Sequence, residues 1–113
     1  MPQQSRTLDG VFHALADPTR RAVIQRLGRK PASVTELAEP FDMALPSFMQ
    51  HLQLLEDCKL VRSKKSGRVR TYELTPAPLT AAEKWVSVQR AQWARRLDSL
   101  DDYLARLAQK EHE

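Results

Sequence analysis

Residues 33–72 read SVTELAEPFDMALPSFMQHLQLLEDCKLVRSKKSGRVRTY, and the fold turns on how this stretch is parsed. Ser33 followed three residues later by Glu36 is the capping-box pattern, which opens a helix carrying Leu37 and Ala38. Pro40 ends that helix, because the residue before a proline avoids helical geometry. Phe41, Asp42 and Met43 make a short turn. A second helix is predicted from about Leu45 to Asp57, with Pro46 tolerated in its first turn and Phe48, Leu52 and Leu55 as the buried stripe. Leu60 to Arg62 and Arg70 to Leu74 read as two short strands. Ser63 to Arg68 form the connection between them, with Gly67 in the turn. Two helices across a tight turn, with a hairpin directly after, make a helix-turn-helix with a wing. The expected class is mainly α with a small β-hairpin. The helix-turn-helix occupies residues 34–57 and the wing 60–75.

Upstream, Leu8, Val11, Phe12 and Leu15 recur at helical spacing. Asp17 then restarts the chain as an N-cap with Pro18 at the first helical position. The helix that follows holds Ala22, Val23, Ile24 and Leu27 inside and Arg20, Arg21 and Arg26 outside, with Gly28 as its stop. Downstream, Thr75-Pro76-Ala77-Pro78 breaks the pattern. Thr80 and Glu83 form a second capping box, and a long helix is expected over residues 80–108. Its residues Val86, Trp93, Leu97, Leu100, Leu104 and Leu107 form a heptad-like seam interrupted by Arg90, widened by Trp85 and Val88. One small domain cannot cover so long a seam, so it is expected to meet a second copy. A symmetric dimer offers two recognition helices to successive major grooves, which predicts a pseudo-palindromic site.

The whole chain, 113 residues, suits one domain spanning 1–113. Its hydrophobic share of 42% and charged share of 28% are those of an ordinary globular protein. The net charge of +4 lies entirely before residue 81, so the basic half is the part suited to a polyanion. Cys58 is the only cysteine, which allows no internal disulfide. No signal-peptide pattern and no membrane-length apolar run is present, and the expected location is cytoplasmic. Three scattered histidines, one cysteine and no Gly-rich phosphate loop give no nucleophile, base and orienting group, so an enzyme is not expected.

A helix fits the major groove of B-DNA, and the second helix of the motif is the candidate reader. Beyond its core stripe it presents Leu45, Pro46, Ser47, Met49, Gln50, His51 and Gln53. Gln50 and Gln53 can pair bidentately with adenine, Ser47 can reach a base or phosphate, and Leu45 and Met49 can meet thymine methyls. A solvated helix face is the plain alternative, and the helix-turn-helix setting argues against it. In the hairpin, Arg62, Lys64, Lys65, Arg68 and Arg70 fall close together without an acidic neighbour until Glu73. Such a strip suits phosphates or a minor groove, where each phosphate neutralised releases counterions. Charges that keep a hairpin soluble are the alternative here.

These features together resemble the ArsR/SmtB family of winged-helix repressors over about residues 8–107. The resemblance rests on Leu15-Ala16-Asp17-Pro18-Thr19-Arg20-Arg21, on Thr35-Glu36-Leu37-Ala38 and on Pro46 followed by Gln50 to Glu56. It extends through Leu60-Val61 leading into Gly67 to Tyr72. It implies a dimer joined by the first and last helices, with Leu8, Phe12, Trp85, Trp93, Leu97, Leu100 and Leu104 in the interface. It further implies operator binding near the protein's own promoter, and repression. Ser47, Gln50 and His51 fall where the family reads DNA; Lys64, Lys65 and Arg68 fall in its wing. Thr35 and Arg20 are expected to touch the DNA backbone. In two places the sequence departs from the family pattern. Asp42 stands where the turn often has glycine, and is expected to tolerate left-handed geometry there. Ala44 stands where a capping serine is usual, and it cannot cap. The family's metal-sensing members carry paired cysteines in the third helix, whereas Glu36 to Pro40 contain no thiol. Another metal site of the family needs Asp and His along the last helix, whose only histidine here is His112. His13 reads as a helix-surface residue and Cys58 as a packing residue. The expectation is double-stranded DNA as partner, a homodimer, and no metal or other cofactor. Two alternatives stand beside it: an assembly module, or a repressor released by a small organic ligand near Trp85 or Trp93.

Overall fold

A computed structural model describes the backbone of residues 3–111 and side chains from Arg6 to Glu111. In chain order the elements are α1 (Gln3–Leu15), α2 (Pro18–Leu27), β1 (Ala32–Ser33), α3 (Val34–Ala38), α4 (Leu45–Asp57), β2 (Val61–Ser66), β3 (Val69–Leu74) and α5 (Ala77–Glu111). The chain divides into two compact units between Ala82 and Glu83.

The first unit is the winged helix-turn-helix. Its core gathers Val11 and Ala14 from α1, Val23 and Leu27 from α2, Leu37 from α3, and Phe48, Leu52 and Leu55 from α4. Ala32 of β1, Leu60, Val61, Tyr72 and Ala82 complete it. Phe41 lies against Phe48 with ring centroids 5.4 Å apart, so the turn between α3 and α4 is anchored by an aromatic pair. Ala22 and Ile24, expected inside, are only half-buried. The Ser33–Glu36 capping box is formed in both directions.

The sheet is three-stranded and antiparallel, in the order β1-β3-β2. β1 is a two-residue strand pairing Ala32 with Tyr72 and Ser33 with Thr71. It has no periodicity to read and owes its pairing to the β3 edge beside it. The wing is longer than the sequence suggested. Ser63 to Ser66 are strand, and the turn contracts to Gly67 and Arg68, with Gly67 at φ +62° as a tight hairpin demands.

The long helix also begins earlier than its capping box implied. It starts at Ala77, and the Thr80 hydroxyl donates to the Pro76 carbonyl instead of capping a helix. Pro78 sits in the first turn, where a missing N–H costs nothing, so the proline cluster starts the helix. In the second unit, from Glu83, Trp85, Val86, Val88, Trp93, Leu97, Leu100, Tyr103, Leu104 and Leu107 are 42–63% exposed.

Candidate nucleic-acid interface

The joint between α1 and α2 explains why Asp17-Pro18-Thr19-Arg20-Arg21 belong together. A helix end leaves its last carbonyls without partners. Arg20 folds back so that Nε donates to the Ala14 carbonyl at 3.0 Å and Nη2 to the His13 carbonyl at 2.9 Å. Arg21 Nη1 donates to the Leu15 carbonyl at 2.7 Å. Two arginines thus close the end of α1, while Asp17 caps α2 by accepting from the Arg20 backbone N–H at 3.1 Å. Desolvation pushes the Asp17 carboxyl up. The backbone N–H groups of Arg20 and Thr19 and the charge of the Arg20 guanidinium outweigh it and hold the group below the usual carboxylate range. Arg20 also reaches α4, its Nη1 lying 3.2 Å from Nδ1 of His51. Read from sequence as an outward residue, Arg20 is partly buried and turned into this joint.

Helix α4 is the next component. Its N-cap, Ala44, makes no side-chain hydrogen bond. Ser47 and Gln50 are exposed, and Leu45 at the helix start is 55% exposed. Gln53 is exposed as well, but its Nε2 donates to Asp57 Oδ1 at 2.9 Å, so reading a base requires giving up that bond. Met49, expected outward, is half-buried and packs against the core. The helix ends in a Schellman motif: Leu60 N donates to Leu55 O, and Lys59 N to Glu56 O, both at 3.0 Å. Lys59 supplies the left-handed residue at φ 64°, and Leu60 closes onto Leu55 in the core. Asp42 is not left-handed, so the turn before α4 does not carry the strain expected there.

The wing sorts its cations. Cross-strand register places Arg62 opposite Glu73, and the two form an ion pair. Arg70 Nη1 donates to Ser63 Oγ at 2.8 Å, and that hydroxyl donates to Glu56 Oε1 at 2.9 Å. Lys64, Lys65 and Arg68 are exposed and make no hydrogen bond or ion pair with any described residue. The strip of five unpaired cations expected from sequence is therefore three unpaired and two engaged. Lys65 and Arg70 sit directly opposite each other, a like-charge pair that destabilises an isolated hairpin and is relieved by an anion.

Of the other expected contacts, Thr35 is exposed on α3, Phe12 is 42% exposed, and Leu8 is half-buried against the core. Cys58 is half-buried beside Gly10, and burial, then the Asp57 charge, push its thiol up and keep it protonated at neutral pH. Among the described residues, no three His, Cys, Asp or Glu side chains converge on a metal-sized site, and His112 lies outside those residues. Among the described residues, no helix is long and apolar enough to cross a membrane.

A helix-turn-helix domain family matches residues 15–64, from the α1–α2 joint to the first half of the wing. The HTH-type transcriptional regulator Rv2034 of Mycobacterium tuberculosis is 41% identical over 76 residues, 67% of this chain and 71% of that protein. The crystal structure of the ArsR family transcriptional regulator RHA00566 superposes with a TM-score of 0.77 at 55% identity, covering 83% of this chain and 97% of that one. The chain belongs to the ArsR family of winged helix-turn-helix transcriptional regulators. The transcriptional repressor SdpR of Bacillus subtilis is also similar, 28% identical over 79 residues, 70% of this chain and 88% of that protein. As an ArsR-family member the chain is a DNA-binding transcriptional regulator, and its relatives are regulators rather than enzymes.

Sequence reasoning missed three features of the site. These are the turning-in of Arg20, the loss of Arg62 to Glu73 and the left-handed Lys59. Two of them had a usable signal. Arg62 and Glu73 are equidistant from the Gly67–Arg68 turn, so a two-residue hairpin forces them opposite each other. A residue left between Cys58 and the buried Leu60 at a helix end is where a left-handed cap falls.

Proposed function

We propose that this ArsR-family regulator binds a pseudo-palindromic operator as a homodimer and represses transcription, its own promoter first, without a metal effector. The reading is carried by one observation: the exposed Ser47 and Gln50 of α4 accompany a wing whose Lys64, Lys65 and Arg68 have no partner among the described residues. In this reading Ser47 and Gln50 contact base edges, with Gln53 and His51 alongside and Met49 contributing its exposed edge. Lys64, Lys65 and Arg68 neutralise phosphates, Arg70 supports them from beside Ser63, and Thr35 reaches the backbone. The exposed seam of α5, through Trp85, Trp93, Leu97, Leu100 and Leu104, meets a second copy, with Phe12 and Leu8 contributing from α1. Repression is supported by the relative named as a transcriptional repressor, SdpR. A regulator of this kind works where the DNA lies, and we place it in the cytoplasm.

The test is fluorescence anisotropy on the gene's own upstream fragment, with a scrambled duplex of equal length as control, at two salt concentrations. The reading expects tight binding to the promoter, weaker binding to the scrambled duplex, and weakening of both by salt. Equal, weak binding to both duplexes refutes autorepression and turns attention to a protein partner for the winged helix.

A further inference from the structure

Among the described residues, His51 of the α4 reading face is held by a hydrogen bond from a side chain of another helix. Arg20 Nη1, on α2, lies 3.2 Å from His51 Nδ1. A guanidinium only donates and never loses its proton in a protein, so Nδ1 must be the acceptor. The imidazole proton then sits on Nε2. Asp17 Oδ2 is 3.7 Å from the same Nδ1, beyond a hydrogen bond, and that carboxylate already accepts from the Arg20 backbone N–H. Arg20 is itself fixed by its bonds to Ala14 and His13 at the end of α1, so it cannot follow the histidine if the ring turns. Among the described residues nothing accepts from Nε2, and no buried polar side-chain atom is without a partner. Nε2 therefore faces solvent, on the helix that carries Ser47 and Gln50.

We propose that Arg20 is a positioning residue for DNA recognition: it fixes His51 in the Nε2–H tautomer, so that His51 meets the duplex as an oriented donor. The acceptor is a lone pair of the DNA, either a phosphate oxygen or guanine N7 or O6. The inference rests on α4 being the reading helix. It assigns Arg20 a role inside the protein in place of a direct contact with the DNA backbone. A free histidine divides its population between tautomers and rotamers, and a held one presents a single donor without that loss.

The first arm needs no variant. Long-range proton–nitrogen spectra of the histidine-labelled full-length protein, with His51 assigned by its disappearance in H51Q, report the tautomer directly. The expected result at neutral pH is protonated Nε2 with bare Nδ1. A proton on Nδ1, or an imidazolium, overturns the proposal. The second arm is a double-mutant cycle read by promoter anisotropy. R20M is expected to weaken binding about tenfold with His51 present, the effect of losing one oriented hydrogen bond to a charged or strongly polar acceptor. In H51Q, whose amide nitrogen stands near the Nε2 position and needs no tautomer, R20M is expected to cost less than about twofold. Equal losses in both backgrounds mean that Arg20 acts only on the fold, and overturn the proposal. A loss for R20M confined to the promoter identifies a base acceptor, and an equal loss on the scrambled duplex identifies a phosphate. Wild-type protein that binds neither duplex overturns the assignment of α4 instead, and that result is visible before any variant is made.

Discussion

Replacing Lys64, Lys65 and Arg68 together by alanine tests the sorting of charge on the wing. Each phosphate neutralised on B-DNA adds about 0.9 to the slope of log affinity against log salt. Three cations without partners among the described residues are therefore expected to account for about 2.7 units of slope per wing engaged, and about twice that if both wings of a dimer are seated. Over about a fourfold rise in salt, 2.7 units amounts to about a 40-fold difference in how far affinity falls. The wild type should thus lose affinity more steeply than the triple variant by about 40-fold for each wing engaged, on promoter and scrambled duplex alike. Arg62 is the internal control. It lies in the same hairpin but is already paired with Glu73, so R62A should change the slope by well under one unit. Anisotropy titrations across several salt concentrations give all of these slopes. A triple variant with an unchanged slope refutes the wing as a phosphate contact, and an R62A variant that flattens the slope as much as one free lysine refutes the pairing argument.

Gln50→Ala should relax sequence preference, by about 1–3 kcal/mol for a bidentate base contact, while leaving scrambled-duplex binding nearly untouched; equal weakening on every sequence removes Gln50 as a base reader. Lys59→Gly should stabilise the fold. A lysine at φ 64° carries about 1–2 kcal/mol of left-handed strain, against about 0.5–1 kcal/mol of extra glycine entropy in the unfolded chain, so a gain near 0.5–1 kcal/mol is expected in denaturant melts, and a loss contradicts it. Asp17→Asn keeps a capping acceptor but removes the charge. The Asp17 carboxyl sits below its ordinary value when folded, so its stabilisation is present above about pH 4 and disappears as pH falls through the folded value. Wild type should therefore lose more stability than D17N on acidification, and parallel curves overturn the assignment. Changing Leu97 and Leu100 to aspartate should yield a monomer in sedimentation velocity with unchanged helix content; a persisting dimer moves the interface away from the α5 seam.

Local rules made most of the first unit legible. The Asp17 cap with Pro18 behind it, the Ser33–Glu36 capping box, and the Phe48–Leu52–Leu55 stripe each involve residues within a turn or two of one another, and each lies where the pattern put it. Errors occurred where two local signals competed. Thr80 and Glu83 have the spacing of a capping box, but Pro78 is equally at home in a first turn and the chain takes the earlier start. The residues of 63–66 are polar and charged, which suggests a loop. Yet their backbone groups pair along β3 all the way to Gly67, and polar residues on a hairpin that projects from the core lose nothing by being strand.

The chemistry of the candidate site was less legible than the fold, for a physical reason. A run of basic residues shows how many charges there are, whereas binding depends on how many are still unspent after folding. That count is set by cross-strand register and by contacts between helices. In this chain, folding assigns Arg62 to Glu73, Arg70 to Ser63, and Arg20 to the end of α1 and to His51. Each assignment takes a cation that spacing alone offers to DNA and gives it a structural task. What remains for the polyanion, Lys64, Lys65 and Arg68, is concentrated at the tip of the wing, where β2 and β3 hold it clear of every described carboxylate. The engaged arginines still act on binding, but by shape: Arg20 by setting the histidine of α4, and Arg70 by bracing the hairpin through Ser63 to Glu56 of that same helix. Variants of the two groups should therefore differ in kind. Losing a tip cation should lower affinity in proportion to the salt term. Losing a bracing arginine should lower affinity while leaving the salt slope almost intact.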